Sequence, residues 1–234
     1  LDAINYTKTV LNDIIINSIK DEIYDITITT HNFGNDSQVL GDAETSNNLI
    51  RLNSTYSGNI SINDTVKHGY CSILIHEVLH IFGLINTTIE ANKFDIVNYH
   101  YRRLPYNPAI PDNVYYGTKG VAGYKQLLIA NGISVQNLKD FLPIEDDFSE
   151  GTKFFHFEEG MNTLNPNDTN YYDNRIIDGV NYPAVVNEMM TGFLDGYNYI
   201  TTMTVGCLED IGFKVNYNSS YIVVTGKYLD IQTA

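Results

Sequence analysis

Tryptophan is absent from this chain, cysteine occurs only twice, and no stretch stays apolar for long. Each scarcity excludes something. Cys71 and Cys207 permit at most one internal disulfide and form no CxxC pair, so there is no disulfide framework and little hint of compartment. The most apolar stretch, Cys71 to Ile85, is interrupted by His76, Glu77 and His80 and is too short to span a bilayer. No basic segment followed by an apolar run opens the sequence, so any signal peptide or pro-segment is expected to lie outside it. Basic residues are few as well. Fourteen Lys and Arg against 28 Asp and Glu leave a net charge of −14. Phosphate binding needs a basic face, so nucleic acid is not an expected partner.

What remains is enough to fold. With 43% hydrophobic and 18% charged residues over 234 positions, the chain can bury a sizeable core. That length suits one domain, or two subdomains sharing a cleft. No internal repeat or linker divides it. Asn5, Asn35, Asn53, Asn59, Asn63, Asn86, Asn167 and Asn218 each begin an N-x-[ST] triplet, which leans toward a secreted or cell-surface protein.

Periodicity predicts a helix over 8–20 and strands over 23–30, 49–53 and 59–63, with a Gly/Asn/Asp-rich turn at 32–36. A second helix is expected over 69–83 and is apolar almost all round, the mark of a buried helix. Gly83 supplies its stop. Pro105, Pro108 and Pro111 mark an irregular region. Further helices are read over 120–130 and 203–212, and a last strand over 221–225.

The only strongly polar residues inside the buried helix are His76, Glu77 and His80, in the order HExxH. Histidines at i and i+4 share a helix face and suit two nitrogens of a tetrahedral Zn²⁺. The intervening glutamate reaches a water that the metal acidifies and takes its proton before the water attacks a carbonyl. By composition HExxH arises by chance in roughly one such sequence in a hundred, and a glycine three residues on is rarer still. Two satisfied core histidines would not explain Glu77, because burying an unpaired carboxylate is costly. A catalytic zinc needs a third protein ligand and an open position. In the compact string HExxHxxGxxH the last position is here Asn86, so that ligand must come from elsewhere. His31 and His68 are not well placed for it, and His100, beside Arg102 and Arg103, reads as a surface residue.

From Pro143 the chain runs PIEDDFSEGTKFFHFEEG, and NEMMTG follows at 187–192. Together with HExxHxxG these segments resemble the leishmanolysin family of metzincin peptidases, from about residue 39 to 216. The resemblance implies that His156 is the third ligand and Met190 the methionine of the turn beneath the metal. It aligns 201–216 with the helix after that turn, and 39–62 with the segment leading to the substrate-binding edge strand. Phe157 stands where the family more often has Trp. No Cys-rich C-terminal region is present, so membrane anchorage is not carried over. Glu158 and Glu159 either orient a ligand histidine through its second nitrogen or face solvent.

The expectation is an α+β metzincin-like peptidase with one catalytic Zn²⁺. A twisted sheet and the active-site helix (1–83) lie above a more irregular lower part (84–234). An extended polypeptide would pair with an exposed edge, for which Asn59, Ile60 and Ser61 are the candidates. Thr191 and Gly192 would wall the pocket beyond the scissile bond. Two alternatives stand beside it: Glu188 as third ligand in a gluzincin-like site, and a non-catalytic protein that keeps zinc for stability.

Overall fold

The computed structural model describes residues 1–18, 24–34, 38–62, 65–85, 101–103, 113–145, 152, 155–159, 175–177, 179–194, 196 and 198–223. Four helices occur among them: α1 (Asp2–Ile14), α2 (Tyr70–Ile81), α3 (Thr118–Ala130) and α4 (Thr202–Asp210). The strands form small sheets rather than a barrel. β1 (Ile15–Ser18) pairs antiparallel with a late strand of the chain, Phe213–Val215. β2 (Thr27–His31), β3 (Gly41–Glu44) and β4 (Leu49–Asn53) make a sheet of order β2-β4-β3, with β4 parallel to β2 and antiparallel to β3. β5 (Asn59–Ile62) and β6 (Thr65–His68) form a hairpin. β7 (Tyr101–Arg103), β8 (Asn113–Tyr115) and β9 (Leu142–Pro143) form another three-stranded sheet, and β10 (Arg175–Ile177) pairs with β11 (Val180–Tyr182). β12 (Ile200–Thr201) pairs with β14 (Ile222–Val223), and β13 is the Phe213–Val215 partner of β1. The class is α+β. No helix among the described residues is long and apolar enough to cross a membrane.

The first helix corrects the sequence reading. It runs from Asp2 to Ile14 and buries Thr7, Val10, Leu11 and Ile14, an i, i+3, i+4, i+7 stripe. It stops where Ile14, Ile15 and Ile16 put three β-branched residues in succession. Ile15 is already extended (φ −100°, ψ 111°), and its segment gains a ladder with β13. β1 and β13 therefore tie the first part of the chain to its end. The strand read over 23–30 is observed as β2, beginning at Thr27, and Ile23 lies outside the described residues. Pro105, Pro108, Pro111 and His100 lie outside them too.

Helix α2 is buried as its composition demands, with Ile73, Leu74, Ile75, Val78, Leu79 and Ile81 all in the core. Helices α3 and α4 pack backbone to backbone. A Cβ on Gly123 would fall 2.2 Å from Thr202 O, and one on Gly206 2.3 Å from Lys119 O. The Asp210 carboxylate accepts from Lys119 N (3.0 Å) and Gly120 N (2.8 Å), at the first turn of α3. This rigid pair fixes the start of α4, against which the turn at 187–191 is held. Cys71 and Cys207 are free and buried. Of the candidate glycosylation triplets, Asn53 is buried and its side-chain amide donates to Val39 O (2.8 Å), so the folded chain does not offer it.

Candidate metal centre

His76 and His80 stand one turn apart on α2 and face a cleft of about 960 Å³. The end of the helix sets the second of them. Gly83 (φ +94°) reverses the chain, Gly83 N donates to His80 O (2.9 Å), and Leu84 N donates to Leu79 O (3.0 Å). This return brings Leu84 O to 3.2 Å from His80 Nδ1. The glycine that reads as a helix stop thus also orients the His80 ring.

His156 arrives from the other side. Its carbonyl accepts from Glu145 N (2.9 Å), and Phe157 N donates to Met190 O (2.9 Å). The residue is wedged between the strand end after β9 and the turn at 187–191. The three Nε2 atoms converge: His76 to His156 and His76 to His80 are each 3.1 Å apart, and His80 to His156 is 3.4 Å. Among the described residues these histidines form a group able to hold a metal ion. His31 and His68, on β2 and β6, are not in it.

The opposite ring nitrogens test the fit. Each Nδ1 faces a backbone carbonyl: His76 meets Met189 O (2.7 Å), His156 meets Thr152 O (2.7 Å), and His80 meets Leu84 O. A carbonyl only accepts, so each Nδ1 carries the proton and each Nε2 is a bare lone pair. Three converging acceptors cannot bond one another and call for a cation between them. Tetrahedral Zn²⁺ with nitrogen ligands separates its donors by about 3.3 Å, close to the spacings found. Burial holds the imidazoles neutral, as ligands must be. It lowers His76 and takes His80 well down, where the other two rings add to the effect. His156 is pushed down to about 3 by burial and then by His76.

Glu77 lines the same cleft and is only 6% exposed. Burial first, and then the charge of Asp42, pushes its carboxyl up to about 8. Asp42 is itself gripped by Arg51, whose Nε and Nη2 donate to its two oxygens at 2.8 and 2.6 Å. Glu77 packs against β3 at Gly41. A Cβ there would sit 2.6 Å from Ile73 Cγ2 and 3.2 Å from Glu77 Oε1. Gly41→Val should therefore crowd Ile73 first and the Glu77 carboxylate next, costing about 1–3 kcal/mol of stability as overpacking does. Thermal and denaturant melts check this; an unchanged melting temperature would contradict it.

Several residues differ from expectation. Backbone carbonyls, not Glu158 or Glu159, orient the histidines, and both glutamates are buried rather than solvent-facing. Asn59 and Ile60, in the β5–β6 hairpin, do not line the cleft, and the Ser61 side chain is outside the described residues. The strand that does line it is β3, through Gly41, Asp42 and Ala43. Among the described strands it pairs only with β4, and Gly41 on it lies against Glu77. Thr191 and Gly192 do line the cleft, with Ser72, Met189 and Asn198. Met189 and Met190 are both buried, and both turn carbonyls serve the ligand segments.

Glu188 is occupied elsewhere. Its Oε2 accepts from Met190 N (2.6 Å), and its Oε1 accepts from Thr201 Oγ1 (2.9 Å), Thr201 N (3.3 Å) and Thr204 Oγ1. It is absent from the metal-capable group, which is a histidine triad. No sequence motif announces the carbonyls of Leu84, Thr152 and Met189, because any residue supplies one. The only available signal was Gly83.

No family model matches the chain, and no curated protein or solved structure matches it.

Proposed function

We propose that this chain is a zinc-dependent endopeptidase of metzincin type, a reading its sequence suggested by resemblance to the leishmanolysin family. The observation that carries it is the convergence of three bare imidazole nitrogens beside the buried Glu77, in a cleft that β3 helps to line. Zinc is the natural occupant of a three-imidazole site with an open position. Bound by His76, His80 and His156, it would acidify a water and polarise a carbonyl.

The chain's own residues supply the rest. Glu77, as its carboxylate, takes a proton from the attacking water and returns it to the departing amine, and the burial that raises this carboxyl makes the ionised form a stronger base. β3, whose second edge pairs with no described strand, would offer backbone groups to an extended polypeptide without reading its sequence. Thr191 and Gly192 wall the cleft on the far side, as do Phe193 and Leu194. Met189 and Met190 support the ligands through their carbonyls. A secreted or cell-surface setting remains the proposal for location.

The gluzincin-like alternative finds no support, since Glu188 spends both oxygens on other donors. A stabilising, non-catalytic zinc would not require a buried carboxylate facing an open cleft. Elemental analysis tests the cofactor: one zinc per chain should be bound and removable by chelator. Absence of zinc binding by the folded protein would end the proposal.

A further inference from the structure

We infer that Glu188 is a positioning residue that couples the N-terminus of α4 to the metal centre and sets its metal affinity. This rests on the zinc reading above and goes beyond it. Glu188 is fully buried, with four donors on its two oxygens. Three come from the start of α4, where Thr201 is the N-cap, itself accepting from Met203 N (3.2 Å). The fourth is Met190 N, within the turn. A single carboxylate thus clamps the turn to a helix end, where unpaired N–H groups and the helix dipole favour an anion.

The turn in turn holds two of the three ligands. Met189 O receives the Nδ1 proton of His76, and Met190 O receives Phe157 N, next to His156. Any rotation of the turn moves both carbonyls, and with them the aim of two Nε2 atoms. The turn is also held by paired backbone bonds to Tyr199 (Met189 N to Tyr199 O, 2.8 Å; Tyr199 N to Asn187 O, 2.9 Å), by Ser72 Oγ to Met189 Sδ (3.4 Å) and by Thr191 N and Oγ1 to Glu188 O. None of these contacts reaches α4. The α3–α4 pair, locked by Gly123 and Gly206, is the rigid base from which the clamp works.

A glutamine cannot replace this clamp. Its one oxygen can serve the threonines, but its amide group then confronts Met190 N–H, donor against donor. The test is the Zn²⁺ dissociation constant, by competition with a chromophoric chelator, together with the visible spectrum of the Co²⁺-loaded protein. Glu188→Gln should weaken Zn²⁺ binding about tenfold and Glu188→Ala up to about a hundredfold, as loss of supports outside the ligand shell does. The Co²⁺ bands should change with them. Should the alanine variant fail to fold, Glu188→Gln and Thr204→Val, which removes one donor, carry the measurement. Ile62→Ala, a cavity in the small cluster under β5 and away from α3 and α4, controls for lost stability and should leave affinity and spectrum unmoved. Unchanged affinity and spectrum in folded Glu188→Gln, or an equal effect of Ile62→Ala, would overturn the inference alone. If the unaltered protein binds neither metal, the zinc reading falls, and the inference with it.

Discussion

Glu77→Ala should leave a folded, metal-loaded protein whose peptide hydrolysis is about 10²–10⁴-fold slower. The size follows from losing a general base while all three imidazole ligands stay. Stability supplies a second signature. Glu77 lies in a helix dominated by buried Ile, Leu and Val, where its carboxyl is strongly desolvated. Removing such a group relieves a cost, so the variant should melt no lower than the parent. A residue kept for chemistry against its local environment has this pattern: activity falls and stability does not. Thermal melts beside turnover assays separate the cases. A variant that unfolds more readily and yet hydrolyses peptides at the parental rate would make Glu77 a structural residue.

His156→Ala should lower zinc affinity by roughly a hundredfold or more, since it removes one of only three protein ligands. Its Nε2 lies 3.1 Å from that of His76 and 3.4 Å from that of His80, and no other described side chain joins the group. After dialysis at micromolar protein, the variant should retain little metal, whereas Glu188→Gln should stay loaded despite its weaker binding. Metal content of the two proteins, measured side by side, decides between a third imidazole and a third carboxylate. Retention by His156→Ala with loss from Glu188→Gln would reverse the assignment.

Much of the site was legible because its residues contradict their surroundings. Three polar side chains in an otherwise apolar helix have no packing explanation, so His76, Glu77 and His80 stood out, and Gly83 marked the turn that follows them. β4, α3 and α4 also lie close to their expected places, where β-branched runs or helical spacing agree with the final packing. The misses have physical causes. β3, Gly-Asp-Ala-Glu, carries no strand signal; its pairing with β4 and the Asp42–Arg51 clasp hold it extended. β5 reads better as a strand, which drew attention away from β3, the strand that lines the cleft. The end of α1 depended on β13, some two hundred residues later. Glu158 and Glu159 looked polar enough for solvent or for a ligand, and tertiary packing buried both.

Hydrolysis of a diverse peptide library by the purified protein, with and without a zinc chelator, tests the central claim most directly. Cleavage should occur within extended peptides, stop when the chelator removes the metal, and return when zinc is restored. Cleavage that ignores the chelator, or a zinc-loaded protein that cuts nothing, would contradict it.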